Sequence, residues 1–240
     1  MDLVQRKQEG SYWDFKKEWH TSNSDLLHDI ICMANNQENK DAYIIIGIDE
    51  SANYDIVDVA NNAHRKNTQK VVDFLKDKKF AGGIRPIVYV KTFTITDKIV
   101  DIIVIENSLH TPFYLEQKYE GIWANNIYTR VQDTNTPKDK SADIDKIEYL
   151  WKKRFRLTET PIEQLELYIK DKSVWIESPL EHLDLQYYKF SPEFTVKKTR
   201  DESRRGMRFI YFCKQTRIRP GIILFLDTIK LPLNIFKEFH

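Results

Sequence analysis

Two carboxylates and a lysine stand close together in Glu9-Gly-Ser-Tyr-Trp-Asp-Phe-Lys-Lys-Glu-Trp19. Read as an extended strand, Tyr12, Asp14, Lys16 and Glu18 share one face, with Trp13, Phe15 and Trp19 on the other. An acid-x-lysine pair backed by buried aromatics can hold a hard cation beside a fixed positive charge. That is one route to cleaving a phosphodiester. Lys16 would stabilise charge building on the phosphate oxygens or orient the attacking water. The plainer alternative is an amphipathic strand whose polar face is wet.

Elements further along the chain must position those side chains. Ser22 or Ser24 can cap a helix beginning near Asp25, and Leu26, Leu27, Ile30, Ile31, Met33 and Ala34 recur at helical spacing. Ala42 to Ile48 is a continuous apolar run of strand length, which suggests burial on both faces. Asp49 and Glu50 stand directly past it. If the two strands are neighbours in one sheet, Asp49 approaches Asp14 and Glu9. Two or three acids meeting there would suit magnesium, which takes a few carboxylates and several waters. Bare, they would repel, and one would keep a proton.

Glu9-x4-Asp14-Phe15-Lys16, then His28-Asp29-Ile30, Met33-Ala34-Asn35, Ile44-Ile45-Ile46-Gly47-Ile48-Asp49 and Ile127-Tyr128-Thr129-Arg130-Val131 follow one another in a recognisable order. Together they resemble the AlbA_2 domain of the Schlafen superfamily. The resemblance implies a metal-dependent endonuclease acting on structured nucleic acid, RNA such as tRNA favoured over DNA. Its metal ligands would be Glu9, Asp14 and Asp49, with Mg²⁺ or Mn²⁺ as cofactor and Lys16 assisting. The alternative it implies is a non-catalytic DNA-binding domain of a transcriptional or defence regulator. Two positions depart from the family pattern. Asp14 stands where Glu is usual, and Gln37 to Asp41 replace a pair of glycines before the buried strand.

Charge is unevenly spread. The net charge is +1, yet residues 197–219 hold nine basic residues against Asp201 and Glu202, which makes +7 and leaves −6 for the rest. Arg130, Lys197, Lys198, Arg200, Arg204, Arg205 and Arg208 are the candidate contacts to a nucleic-acid backbone, since guanidinium forks suit phosphates. A solvated basic hairpin is the other reading of that segment. Phe209 and Tyr211 share a strand face and read as core rather than base platforms.

Hydrophobic content of 41% and charge of 30% describe an ordinary globular chain with no apolar run able to span a bilayer. The start lacks a signal-peptide core, and two cysteines, Cys32 and Cys213, read as buried thiols of a cytoplasmic protein. No P-loop, zinc pattern or serine-hydrolase elbow is present. His28 reads as a satisfied histidine rather than a catalyst. The sequence leaves a homodimer open.

Further elements are expected as a helix over 61–79, strands over 86–96 and 99–106 turning at Asp97-Lys98, and strands over 113–115 and 122–131. A helix over 143–155 would bury Ile144, Ile147, Leu150, Trp151 and Phe155, with Lys152, Lys153, Arg154 and Arg156 forming a basic rim at its end. The fold expected is α/β (α+β), a mixed sheet with flanking helices over residues 1–157. A smaller basic α+β module over 158–240 would pack on it, with a helix over 161–170 and three strands.

Overall fold

Ser22 accepts a hydrogen bond from the Asp25 amide and opens helix α2 (Asn23–Ala34), after a short α1 (Asp2–Gln5) and strand β1 (Trp13–Lys16). The computed structural model describes residues 2–170, 172–177, 185–200, 208–219 and 222–232, with no side chain described after Thr195. It divides into two units, residues 1–158 and 159–240. The first continues with β2 (Ala42–Ile46), β3 (Ile48–Asp49), β4 (Asp55–Ile56), α3 (Thr68–Lys76), β5 (Val88–Ile95) and β6 (Lys98–Ile105). It closes with β7 (Arg130–Val131), β8 (Thr134–Asn135) and α4 (Ile144–Arg154).

Parallel strands need a crossover, and α2 supplies it between β1 and β2. β6 and then β5 add antiparallel, so the sheet is mixed, with order β1-β2-β6-β5, and the class is α+β as expected. Register places Lys16, Ile46, Asp101 and Thr92 in one row across one face. On that face Leu26, Leu27, Ile30, Ile31 and Met33 of α2 pack with Ile44, Ile46 and Ile103. Each such aliphatic side chain contributes about 1.5–3 kcal/mol. The other face holds Trp13, Phe15, Ile45 and Val100.

Alternation thus sorts β1, with its aromatics on one side and Asp14 and Lys16 on the α2 side. Trp19 does not follow that alternation, because β1 ends at Lys16. Its ring joins the α2-side core and its Nε1 donates to Asp101 Oδ2 at 2.9 Å. Gly47 divides β2 from β3 with φ of +112°, and a Cβ there would lie 2.8 Å from the Val57 carbonyl oxygen.

The β5–β6 hairpin turns at Thr96 and Asp97, both at positive φ, which matches the twist of the flanking strands. Three expectations are corrected. The helix over 61–79 shortens to α3 because Asn67 caps it, its side chain accepting the Lys70 N–H. The strand over 122–131 reduces to Arg130–Val131, since Asn125 is left-handed at φ 62°, and Leu115 makes only an isolated bridge to Phe80. In α4, Leu150 is buried but Ile144 and Phe155 are 79% and 64% exposed. Lys153 is buried instead, its Nζ donating to Asn107 Oδ1, and burial pushes its ammonium down to about 8. That side chain is therefore no part of a basic rim.

The second unit opens with α5 (Pro161–Lys170), where Thr160 and Glu163 cap each other reciprocally. Among the described residues, five antiparallel strands rather than the expected three follow in sequence order, β9 (Trp175–Glu177), β10 (Leu185–Tyr188), β11 (Ser191–Arg200), β12 (Arg208–Arg219) and β13 (Ile222–Pro232). Leu165 and Phe194 anchor its core with Tyr168 and Tyr188. Arg204 and Arg205 lie outside the described residues, as do the side chains of Lys197, Lys198, Arg200, Arg208 and Cys213. Among the described residues, no helix is long and apolar enough to cross a membrane.

Candidate active site

Glu9 reaches forward over β1. Its Oε1 accepts the Phe15 amide at 3.0 Å and its Oε2 accepts Arg130 Nη2 at 2.6 Å. Gly10 permits this approach, because a Cβ there would collide with the Trp13 ring at 2.3 Å. Asp14, 1% exposed, presents Oδ1 to Arg130 Nη2 at 3.2 Å and Oδ2 to Lys16 Nζ at 2.5 Å. That second contact is an ion pair without hydrogen-bond geometry, so Asp14 Oδ2 is buried with no hydrogen-bond donor. Lys16 Nζ also lies 3.7 Å from Asp29 Oδ2, on α2. Asp29 in turn takes His20 Nε2 at 2.7 Å and Asn135 Nδ2 at 2.8 Å. Strand, helix and the β7–β8 hairpin thus meet at one ionic cluster.

Electrostatics distinguish its members. Burial, and then the neighbouring Asp14 carboxylate, push the Glu9 carboxyl up to about 7, against the pull of the Phe15 amide and Arg130. Asp29 goes the other way. Burial would raise it, but His20 and Lys16 outweigh that and hold it below the ordinary carboxylate range. Burial disfavours the Lys16 ammonium, yet Asp29 and Asp14 together raise it above its usual value. With Glu9 protonated, Asp14 and Asp29 balance Lys16 and Arg130. Ionising Glu9 leaves one negative charge in excess, and an added cation would meet that charge.

The expected convergence of three acids is only two-thirds realised. Glu9 and Asp14 come together, whereas Asp49 pairs with Lys17 Nζ at 2.8 Å and accepts Ser51 Oγ at 2.6 Å and Ser51 N at 3.1 Å. Gly47 turns the chain out of β2 before Asp49, and Asp49 then caps the tight turn beyond it. Lys17 and Ser51 hold its carboxyl below the ordinary range. Among the described residues, no three Asp, Glu, His or Cys side chains are grouped to hold a metal ion. Glu9 with Asp14 remains an oxygen-only pair of the kind that magnesium or manganese accepts alongside waters. The fit to a divalent cation rests on those two carboxyls, whose oxygens now face Lys16 and Arg130.

Arg130, expected to contact a nucleic-acid backbone, is engaged inside the protein. It is 2% exposed, and its donors go to Gly10 O at 2.8 Å, Asn135 Oδ1 at 3.0 Å, Glu9 and Asp14. It ties β7 to the approach of β1. His28 is satisfied as expected, with Nε2 against Thr136 O at 2.9 Å, and burial lowers its pKa. Cys32 is a buried thiol, pushed well up by burial. Sequence reasoning missed His20 and Asp29 as members of the cluster. The available signal was an acid on the first helix at a position that the apolar stripe should bury.

A protein-family model described as Schlafen, AlbA_2 matches residues 9–139, more than half of the chain. No curated protein and no solved structure matches it.

Proposed function

Because this chain belongs to the Schlafen AlbA_2 family, we propose that its nucleic-acid-related role is metal-dependent endonucleolytic cleavage of structured RNA. The observation that carries this reading is the meeting of Glu9 and Asp14 on Arg130 beside Lys16, where burial and Asp14 push the Glu9 carboxyl up to about 7 and favour its proton. Glu9 gives up that proton to become a cation ligand, so affinity for the cation rises with pH through about 7. Bound Mg²⁺ or Mn²⁺ would be held by Glu9 and Asp14 and would acidify a water and offset phosphate charge. Lys16 would supply the fixed positive charge facing the phosphate oxygens. Asp29 with His20 keeps the Lys16 ammonium charged and at hand.

A second reading is supported by a specific observation. Lys16 and Arg130 already neutralise the acids, and Asp49 is engaged elsewhere. Acids engaged in this way suit a structural role, as in a non-catalytic nucleic-acid-binding domain. Incubating the purified chain with tRNA and with single-stranded DNA, with and without Mn²⁺, separates the two. The nuclease reading expects Mn²⁺-dependent RNA cleavage that Asp14→Asn abolishes. Binding without cleavage under every condition, by protein of measured solution mass so that a homodimer is scored too, would leave only the second.

A further inference from the structure

At the far edge of the same sheet face, a cleft of about 480 Å³ opens between the start of α3 and strand β5. Its walls are held firmly. Asp101 takes Arg65 Nε at 2.7 Å and Nη2 at 2.9 Å, and Thr92 Oγ1 at 2.6 Å. Thr68 Oγ1 accepts the Val90 amide at 2.9 Å and so pins the helix start to the strand. Arg65 therefore has its charge answered inside the protein.

Two other cations of the cleft are not answered in this way. Lys66 Nζ reaches only a neutral acceptor, His64 O at 3.3 Å, and Lys70 makes no ion pair among the described residues. Lys66 precedes the Asn67 cap and Lys70 lies in the first turn of α3, and the two are close enough for their charges to repel. Burial, and then Lys70, lower the pKa of Lys66. No acidic residue lines the cleft, and the nearest acid along α3, Asp73, is occupied by Gln69 Nε2. No aromatic lines it either, so it offers no stacking surface for a base. Val90 and Thr92 of β5 form its other wall.

We propose that Lys66 and Lys70 form a phosphate subsite for the backbone of the nucleic-acid strand whose reacting phosphate meets Lys16. This rests on the nucleic-acid role proposed for the Glu9–Asp14 site. The row Lys16–Ile46–Asp101–Thr92 places the two sites three strand spacings apart. That is about 14 Å within the sheet, and Ile46 and Asp101 between the two sites are fully buried, so the nucleic-acid strand would pass over the residues that cover them. Contact is to backbone alone, so the subsite positions the strand without reading its sequence.

The test uses the full chain. RNA affinity is measured over a salt series for wild type, for Lys66→Ala/Lys70→Ala, and for Lys76→Ala on the same helix outside the cleft. The double variant should lose affinity at least about fivefold for unrelated sequences, and its log–log salt slope should shrink by about 1.4 for single strands. Lys76→Ala should change neither. In parallel, inorganic phosphate should shift the NMR amide resonances of residues 66–70 in wild type but not in the double variant. Wild-type affinity and slope in the double variant, or phosphate shifts that persist in it, would overturn the subsite. Phosphate shifts without any RNA binding would keep the anion site and remove the nucleic-acid reading.

Discussion

Two acids of the first unit, Asp101 within the sheet and Glu9 in the approach to β1, meet opposite fates. Asp101 is fully buried and receives hydrogen bonds from Trp19, Arg65 and Thr92, which outweigh burial and hold its carboxyl below the ordinary range. Glu9 has an arginine too, yet burial and the facing Asp14 lift it to about 7. What separates them is the supply of donors. A carboxylate ringed by donors is a structural fixture, while one sharing its space with a second carboxylate stays ready for a proton or a metal. The contrast predicts that variants at the two places fail in different ways.

The largest effect should come from Asp14→Asn. RNA cleavage is expected to fall about 10²–10³-fold, the scale of losing a group that answers transition-state charge. Because Asp14→Asn also removes a buried partner of Arg130 and Lys16, cleavage is compared per folded molecule. Asp101→Asn should spare cleavage. It strands the Arg65 guanidinium and costs about 2–4 kcal/mol in denaturant melts, below the full buried-pair figure because Arg65 is partly solvated. Cleavage per folded molecule should hold. Equal loss of activity in both variants would erase the distinction.

Titration gives the next effect, and its sign differs between the regions. A carboxyl raised from 4.5 to about 7 on folding favours the folded state below pH 4.5, and that contribution is lost as pH climbs through 7. Glu9→Gln should therefore flatten a decline of about 2–3 kcal/mol between pH 4.5 and 7.5. Asp101 stabilises above the ordinary carboxylate range and loses that contribution as pH falls below it. Matching pH–stability curves for wild type and Glu9→Gln would show that Glu9 is not lifted. The smallest effect belongs to Asp49→Asn, since Asn caps the same turn, with stability close to wild type and cleavage within a few-fold of it. A loss as deep as that of Asp14→Asn would return Asp49 to the ligand set.

Much of this was legible in the chain. Acid-x-lysine spacing at Asp14 and Lys16, the Ser22 cap and the turn at Asp97 are local signals, and local geometry honours them. The site was half legible. Period two put Asp14 and Lys16 on one face, but no spacing says that Arg130, far along the chain, closes over them from inside. Asp49 came after an apolar run that looks unbroken in sequence, while Gly47 breaks it in space. Asp101 sits inside Lys98–Ile105, a strand otherwise rich in isoleucine and valine, and a lone acid there is a readable sign of a buried partner. The stripe of α4 misled because only one turn of that helix is covered, with Ile144 and Phe155 beyond it.

Manganese titration by calorimetry at pH 6 and pH 8 addresses the central claim most directly, with wild type, Asp14→Asn and Asp101→Asn compared. One site is expected, tightening as Glu9 ionises, disappearing in Asp14→Asn and persisting in Asp101→Asn. Binding that is independent of pH and untouched by Asp14→Asn would contradict a cation held between Glu9 and Asp14.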